Sequence, residues 1–182
     1  MSGGFDRAVI FWDIATGKQL RKVGGLTVVN GTQVASFLGH KDVVTTVALY
    51  EIPDAGSVVQ RGVSCSDDMS CRIYDLTDSF GNELACLGPA SAGCNPALKT
   101  AHTGPITSIT ILNVPERRLL ITGSEDKLIM IWDLLTYERL RVLTGHIDQP
   151  VVKVGLTPDG SRIVTASEDG KAATWSSLTG EL

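Results

Sequence analysis

One spacing, met four times, constrains this 182-residue chain more than any other feature. A hydroxyl residue, Thr122, stands four positions before Asp126, and an aromatic residue, Trp132, stands six after it. The same offsets hold around Asp169 (Thr165, Trp175), Asp68 (Ser64, Tyr74) and Asp6 (Ser2, Trp12). Self-similarity of this kind marks a repeat architecture, in which each unit buries its apolar face only by stacking on its neighbours.

The stretch 120–146 shows what one unit is. Leu120 and Ile121 lead into a polar Gly123-Ser124-Glu125-Asp126-Lys127 turn. Leu128, Ile129 and Ile131 then lead into Trp132-Asp133, and a further run, 138–143, closes on Gly145-His146. Apolar and β-branched runs around a Gly/Ser/Asp turn read as a hairpin. The hydroxyl and aromatic positions are ten apart, which makes them cross-strand neighbours on one face. An indole N–H is a donor only, and a buried one needs an acceptor such as the hydroxyl. The hydroxyl can then donate to a third group. His40, His102 and His146, each ahead of a turn aspartate, supply that group.

Gly39-His40 and Gly145-His146, together with Trp132-Asp133, resemble the WD repeats of β-propellers, and the resemblance covers nearly all of the chain. It implies an all-β fold of four-stranded blades, one per repeat of about 40–45 residues. It also implies a bracing set in each blade that links Trp to Ser/Thr to His to Asp. Full sets are His40, Ser64, Asp68 and Tyr74; His102, Thr122, Asp126 and Trp132; and His146, Thr165, Asp169 and Trp175. Ser2, Asp6 and Trp12 form a partial set. Tyr74 stands in for Trp, and Ala101 for the Gly before His102.

The expected organisation is an incomplete propeller of about three to four blades that starts and ends inside blades. Residues 1–38 give the last two strands of a blade and an inserted hairpin at Asn30-Gly31, a favourable turn pair. The outer strand there is either 18–23 or 33–38. Residues 39–100 are one repeat with an insertion at about 78–100, 101–145 another, and 146–182 a repeat lacking its outer strand. Within the second unit the strands are expected at 43–49, 57–64, 71–74 and 84–87. Closed rings typically carry 4–8 blades. We therefore read the chain as a fragment of a larger propeller, the alternative being a ring built from several copies.

Composition narrows the function. The formal charge is −4, with 16 basic and 20 acidic residues, whereas phosphate binding needs a basic face. No direct nucleic-acid partner is expected. No apolar run is long enough to span a bilayer, and no signal peptide is visible at the N-terminus, so an intracellular chain, cytoplasmic or nuclear, is expected. No C-x-x-C pairs the four cysteines, and Cys65, Cys71, Cys86 and Cys94 are read as free thiols. Cys65 and Cys71 flank one hairpin and would come close. Thr16-Gly17-Lys18 lacks the preceding glycine of a phosphate loop. No cofactor, metal site or catalytic set is expected. Each His/hydroxyl/Asp set contains the residue types of a nucleophilic triad, but such a set recurring in every repeat points to bracing.

The remaining expectation is a binding face. In WD propellers the loops carrying these Asp and His residues form one rim around the central channel. Asp67, Glu125 and Glu168 directly precede turn aspartates, and Asp42 and Asp148 follow two residues after histidines. These five acids suggest a rim for a Lys- or Arg-rich protein segment, on a non-catalytic scaffold. Self-association through open blade edges is a further expectation. The alternative function is the propeller portion of a larger enzyme-associated or ribonucleoprotein assembly subunit.

Overall fold

The computed structural model describes residues 39–54, 57–76, 82–94, 101–146 and 148–182, and the backbone of five short strands before them. Those five are β1 (Ser2–Gly3), β2 (Val9–Trp12), β3 (Gln19–Val23), β4 (Val28–Val29) and β5 (Thr32–Gln33). β1–β2–β3 form the first blade. Of the two outer-strand candidates, the one at 18–23 holds that position, because β3 pairs with β2. β4 and β5 pair as a ribbon on either side of Asn30-Gly31, which lies outside the described residues, as do 34–38 of the other candidate.

The second blade is β6 (Val44–Asp54), β7 (Ser57–Ser66), β8 (Cys71–Asp75) and β9 (Glu83–Leu87). The third is β10 (Ile106–Val114), β11 (Arg117–Ser124), β12 (Ile129–Asp133) and β13 (Arg139–Leu143). The fourth has three strands: β14 (Val151–Leu156), β15 (Arg162–Ser167) and β16 (Ala172–Ser176). Each is an antiparallel meander in chain order. β6 is longer than the sequence suggests. Its last pairs are Pro53 with Val58 and Asp54 with Ser57, so the proline sits at the strand end, where a missing N–H costs little.

The blades stack through their faces. Val63, Ile73, Cys65 and Tyr50 of the second blade bury against Leu120, Met130, Trp132 and Ile109 of the third. Leu119, Ile121, Ile129 and Ile131 of the third bury in turn against Val151, Val154, Ile163 and Trp175 of the fourth. Trp132 and Trp175 therefore each face the preceding blade. Gly123 is needed at the second of these joints, since a Cβ there would lie 2.7 Å from Val151 Cγ1.

The first strand of the second, third and fourth blades carries a register shift at the same place: between Val44 and Thr46, Ile106 and Ser108, and Val151 and Lys153. Such a bulge re-aims the skipped residue. Thr45 and Thr107 use it to reach the next blade, their hydroxyls donating to the carbonyls of Ile106 and Val151 respectively, the latter at 2.6 Å. In the fourth blade the skipped residue is Val152, and it is exposed.

The free-thiol expectation is corrected. Cys65 and Cys71 sit directly opposite on the β7–β8 ladder and are joined as a disulfide. Cys86 on β9 is joined to Cys94, just after the 3₁₀ turn Ala90–Ala92.

Candidate functional site

Three bracing sets are assembled in full. In the third blade, His102 Nδ1 lies 2.8 Å from Asp126 Oδ2 and Nε2 lies 2.7 Å from Thr122 Oγ1. Trp132 Nε1 donates to the same hydroxyl at 3.1 Å. The fourth blade repeats this: His146 Nε2 to Thr165 Oγ1 at 2.8 Å, Trp175 Nε1 to Thr165 Oγ1 at 2.9 Å, and a longer 3.4 Å from His146 Nδ1 to Asp169 Oδ2. In the second, His40 spans Asp68 at 3.1 Å and Ser64 at 2.8 Å, and the Tyr74 hydroxyl lies 3.1 Å from Ser64 Oγ.

The chemistry fixes the direction of these bonds. A carboxylate only accepts, so the histidine presents Nδ1–H to it and keeps Nε2 as an acceptor. The hydroxyl gives its one proton to Nε2 and uses a lone pair to receive the indole N–H, or the Tyr74 O–H. Every polar side-chain group of these three sets then has a partner, the condition under which such a network stabilises.

The register corrects one detail. Thr122 is opposite Met130 and Trp132 opposite Leu120. Ser64 is opposite Arg72 and Thr165 opposite Ala173. The hydroxyl and aromatic are diagonal partners two positions apart, a separation that only a long aromatic side chain bridges.

Burial alone would raise the Asp68 carboxyl. The hydrogen bond and charge of His40, with the Ser70 hydroxyl and the Lys41 N–H, outweigh it and hold Asp68 well below the usual carboxylate range. Asp126 is held low in the same way against burial, by His102 and the N–H groups of Thr103 and Leu128. The Lys171 N–H leads in lowering Asp169, with His146 adding to it. Burial pushes the Tyr74 phenol well up, so it remains a proton donor. The three hydroxyl residues are fully buried, Ser64 and Thr122 at 0% exposure and Thr165 at 1%, which seals them from any substrate.

Sequence reasoning missed a second hydroxyl position. Ser66, Ser124 and Ser167 each stand two residues before the turn aspartate and accept its backbone N–H, at 3.0, 3.1 and 3.2 Å. Ser124 and Ser167 also donate to the carbonyls of Gly104 and Gln149 in the loop before the first strand. The signal was present in the repeated Ser-Asp/Glu-Asp. Arg72 was missed too. It is buried on β8 and donates to Glu83 at 2.7 Å and to the Ala92 carbonyl at 2.8 Å.

Of the five acids, Asp42, Glu125, Asp148 and Glu168 are exposed and Asp67 is half-buried. One bond recurs beneath them: Asp67 N to Val43 O, Glu125 N to Pro105 O, and Glu168 N to Pro150 O, at 3.0, 2.9 and 3.1 Å. It ties each turn to the loop before its blade, so both sets of acids lie at one end of the sheets. Burial, then the carboxylates of Asp42 and Asp68, push the Asp67 carboxyl up. Of the partial set, Asp6 lies outside the described residues, and Ser2 and Trp12 are described only as backbone of β1 and β2.

The family model "WD domain, G-beta repeat" matches residues 31–75, 95–133 and 137–176, more than half of the chain. The chain belongs to the WD40 family. The last of these matches begins ahead of β13 and ends with β16, so a WD40 sequence repeat joins the outer strand of one blade to three strands of the next. Among curated proteins it is similar to the guanine nucleotide-binding protein subunit beta of Zea mays, 29% identical over 78% of this chain and 33% of that protein. The Arabidopsis thaliana subunit of the same name is 28% identical over 96% of this chain and 39% of that protein. Transducin beta-like protein 3 of Rattus norvegicus is 24% identical over 99% of this chain and 19% of that protein. The chain thus spans about a third of the length of the curated relatives it matches first. The crystal structure of the computationally designed Ika4 protein shares the fold, with a TM-score of 0.64 and 23% identity over 96% of this chain and 82% of that one. WD40 repeats and these Gβ-like relatives place the chain among protein-interaction scaffolds in general.

Proposed function

We propose that this WD40 chain is a non-catalytic scaffold whose acidic rim takes a Lys- or Arg-rich segment of a partner protein. The observation that supports this most is the repeated turn-to-loop bond, which holds Asp67, Glu125 and Glu168 in equivalent places beside Asp42 and Asp148. Complementary charge on a rigid surface steers association and fixes register. Lys41, Lys127 and Lys171 share these loops and dilute the acids, so contacts are local rather than the work of one broad field. Asp42 and Asp67 form one acidic corner, in which the charge of Asp42 adds to burial in pushing the Asp67 carboxyl up.

The test is double charge reversal, Glu125→Lys with Glu168→Lys, read by titration with a fluorescent oligolysine peptide and by circular dichroism. The peptide should bind about tenfold more weakly at low salt while the fold is kept, since each rim charge contributes up to about 1 kcal/mol. Unchanged affinity sinks the reading.

A second reading has its own support. A chain spanning about a third of its relatives is suited to act as the propeller portion of a larger enzyme-associated or ribonucleoprotein subunit. Among the described residues β16 pairs only with β15, and its outer edge offers a place for self-association by strand addition. Sedimentation over a concentration series would expose that association. An intracellular location is part of the same proposal, and a fluorescent fusion would test it.

A further inference from the structure

All four cysteines lie in the second blade, and the two pairs are built differently. Cys65 and Cys71 are 0% and 1% exposed and face each other across a continuous ladder. The strands on either side hold that geometry whether or not the sulfurs are joined. Cys86 is half-buried, opposite Arg72 at the outer strand, and its partner Cys94 ends a short segment that leaves the sheet. That segment, 88–94, lies outside the strand ladder. Arg72 donates to the Ala92 carbonyl, Lys41 Nζ donates to the Ser91 carbonyl, the Ala92 methyl is buried, and Gly88 packs on Ser70. Within the segment, Ala92 N donates to Pro89 O and Gly93 N to Ala90 O. A segment outside the ladder opens at lower cost than the paired strands once its covalent tie is gone.

We propose that Cys86–Cys94 is a thiol-exchangeable clasp that sets how the acidic corner at Asp42 and Asp67 meets a basic partner, a reading that rests on the rim proposed above. The chemistry balances with a low-molecular-weight thiol such as glutathione. Its thiolate attacks the more accessible sulfur, Cys86 Sγ, and the Cys94 thiolate leaves and takes a proton. A second thiol attacks the mixed disulfide, releasing Cys86 as a thiol and forming the small-molecule disulfide. Two electrons pass from two thiols to the protein. Oxidised glutathione drives the reverse.

The consequence runs through Lys41. With the clasp closed, its ammonium is drawn to the Ser91 carbonyl, while its backbone N–H caps Asp68. With the clasp open the ammonium is free to turn toward Asp42, the next residue, and to compete with an incoming lysine or arginine. Opening weakens basic-peptide binding by about two- to fivefold, the scale of one exposed charge pair.

The experiment treats the whole chain with graded reduced glutathione, then alkylates it and maps the labelled cysteines by mass spectrometry. Cys86 and Cys94 should label at lower glutathione than Cys65 and Cys71, together with faster hydrogen exchange at 88–94. Simultaneous labelling, or labelling of Cys65 and Cys71 first, overturns the clasp. In parallel, oligolysine affinity is measured in both redox states, in the wild type, in Cys94→Ser, in Cys86→Ser and in Lys41→Gln. Both serine variants should bind as the reduced protein does, and Lys41→Gln should bind equally in both states. If the clasp opens selectively while affinity stays the same, its regulatory role is overturned. If oligolysine binds in neither state, the rim reading fails, and the labelling and exchange results still decide the clasp.

Discussion

The second and third blades satisfy the same buried hydrogen-bond chain with different parts. In the third, an indole donates to a threonine, the histidine meets Asp126 through one oxygen, and Met130 lies opposite Thr122. In the second, a phenol replaces the indole, Asp68 engages His40 with both oxygens, Ser70 adds a further hydroxyl, and buried Arg72 lies opposite Ser64. Two disulfides join the same blade. The difference teaches that what the repeat preserves is the order of donors and acceptors. Each blade relies on one hydroxyl at its centre, and the second adds further bonds at the other histidine nitrogen, together with its covalent ties.

The comparison can be broken first at that hydroxyl. Thr122→Val keeps the shape and leaves the Trp132 N–H and His102 Nε2 buried without partners, at a cost of about 2–4 kcal/mol. Ser64→Ala takes the same hydroxyl away from the equivalent pair, His40 Nε2 and the Tyr74 O–H, and should cost about as much, because Ser70 and Asp68 reach only Nδ1 of His40. Urea midpoints followed by circular dichroism measure both, and clearly unequal losses would show that the two blades do not depend alike on this hydroxyl. Next in size is Gly145→Ala. A Cβ there would stand 2.2 Å from Trp175 Cη2, and relieving that overlap should cost about 2 kcal/mol, with a change in tryptophan emission. Ala101 occupies the matching position before His102, so Ala101→Gly should have a far smaller effect.

Tyr74→Phe removes one donor to Ser64 and leaves the ring in place, a loss of about 1 kcal/mol in thermal or urea unfolding. Acid sharpens the comparison without changing the neutral-pH structure. Folding depresses the Asp68 carboxyl, so its contribution is full above the unfolded value of about 4 and is lost as pH falls through the lower folded value. The stability gap between wild type and Asp68→Asn should therefore be constant near neutrality and close below about pH 4. The smallest expected effect is Tyr137→Gly. Tyr137 has φ 62°, where the equivalent turn residue of the fourth blade is Gly180 at φ 78°. Relief of the left-handed strain and loss of packing against the core that includes Tyr50 oppose each other, leaving a net change within about 1 kcal/mol by urea denaturation.

Much of this was legible in the chain. The four-before, six-after spacing identified the repeat, and it chose the hydroxyls, aspartates and aromatics that the structure joins. The three histidines followed from the need of a buried hydroxyl for a third partner. What escaped has physical reasons. The diagonal pairing of Thr122 with Trp132 depends on register, which a turn four or five residues long leaves open. The bridging role of Thr45 and Thr107 depends on a bulge, which a strand's alternation pattern does not reveal. The cysteines have no motif spacing, and only the ladder and the 88–94 turn bring them together. Ser66, Ser124 and Ser167 were readable as a fifth repeated position and show that short polar residues near a turn repay the same alignment as the bulky ones.

Trp132 and Trp175 each face the blade before their own, which makes them natural reporters. Trp132 is buried between the second and third blades, and Trp175 between the third and fourth. Their emission senses the two seams rather than the interior of any one sheet. Variants with one of these two tryptophans changed to phenylalanine would let each seam be followed while the molecule opens, and the order in which the seams admit water would then be visible in a cuvette.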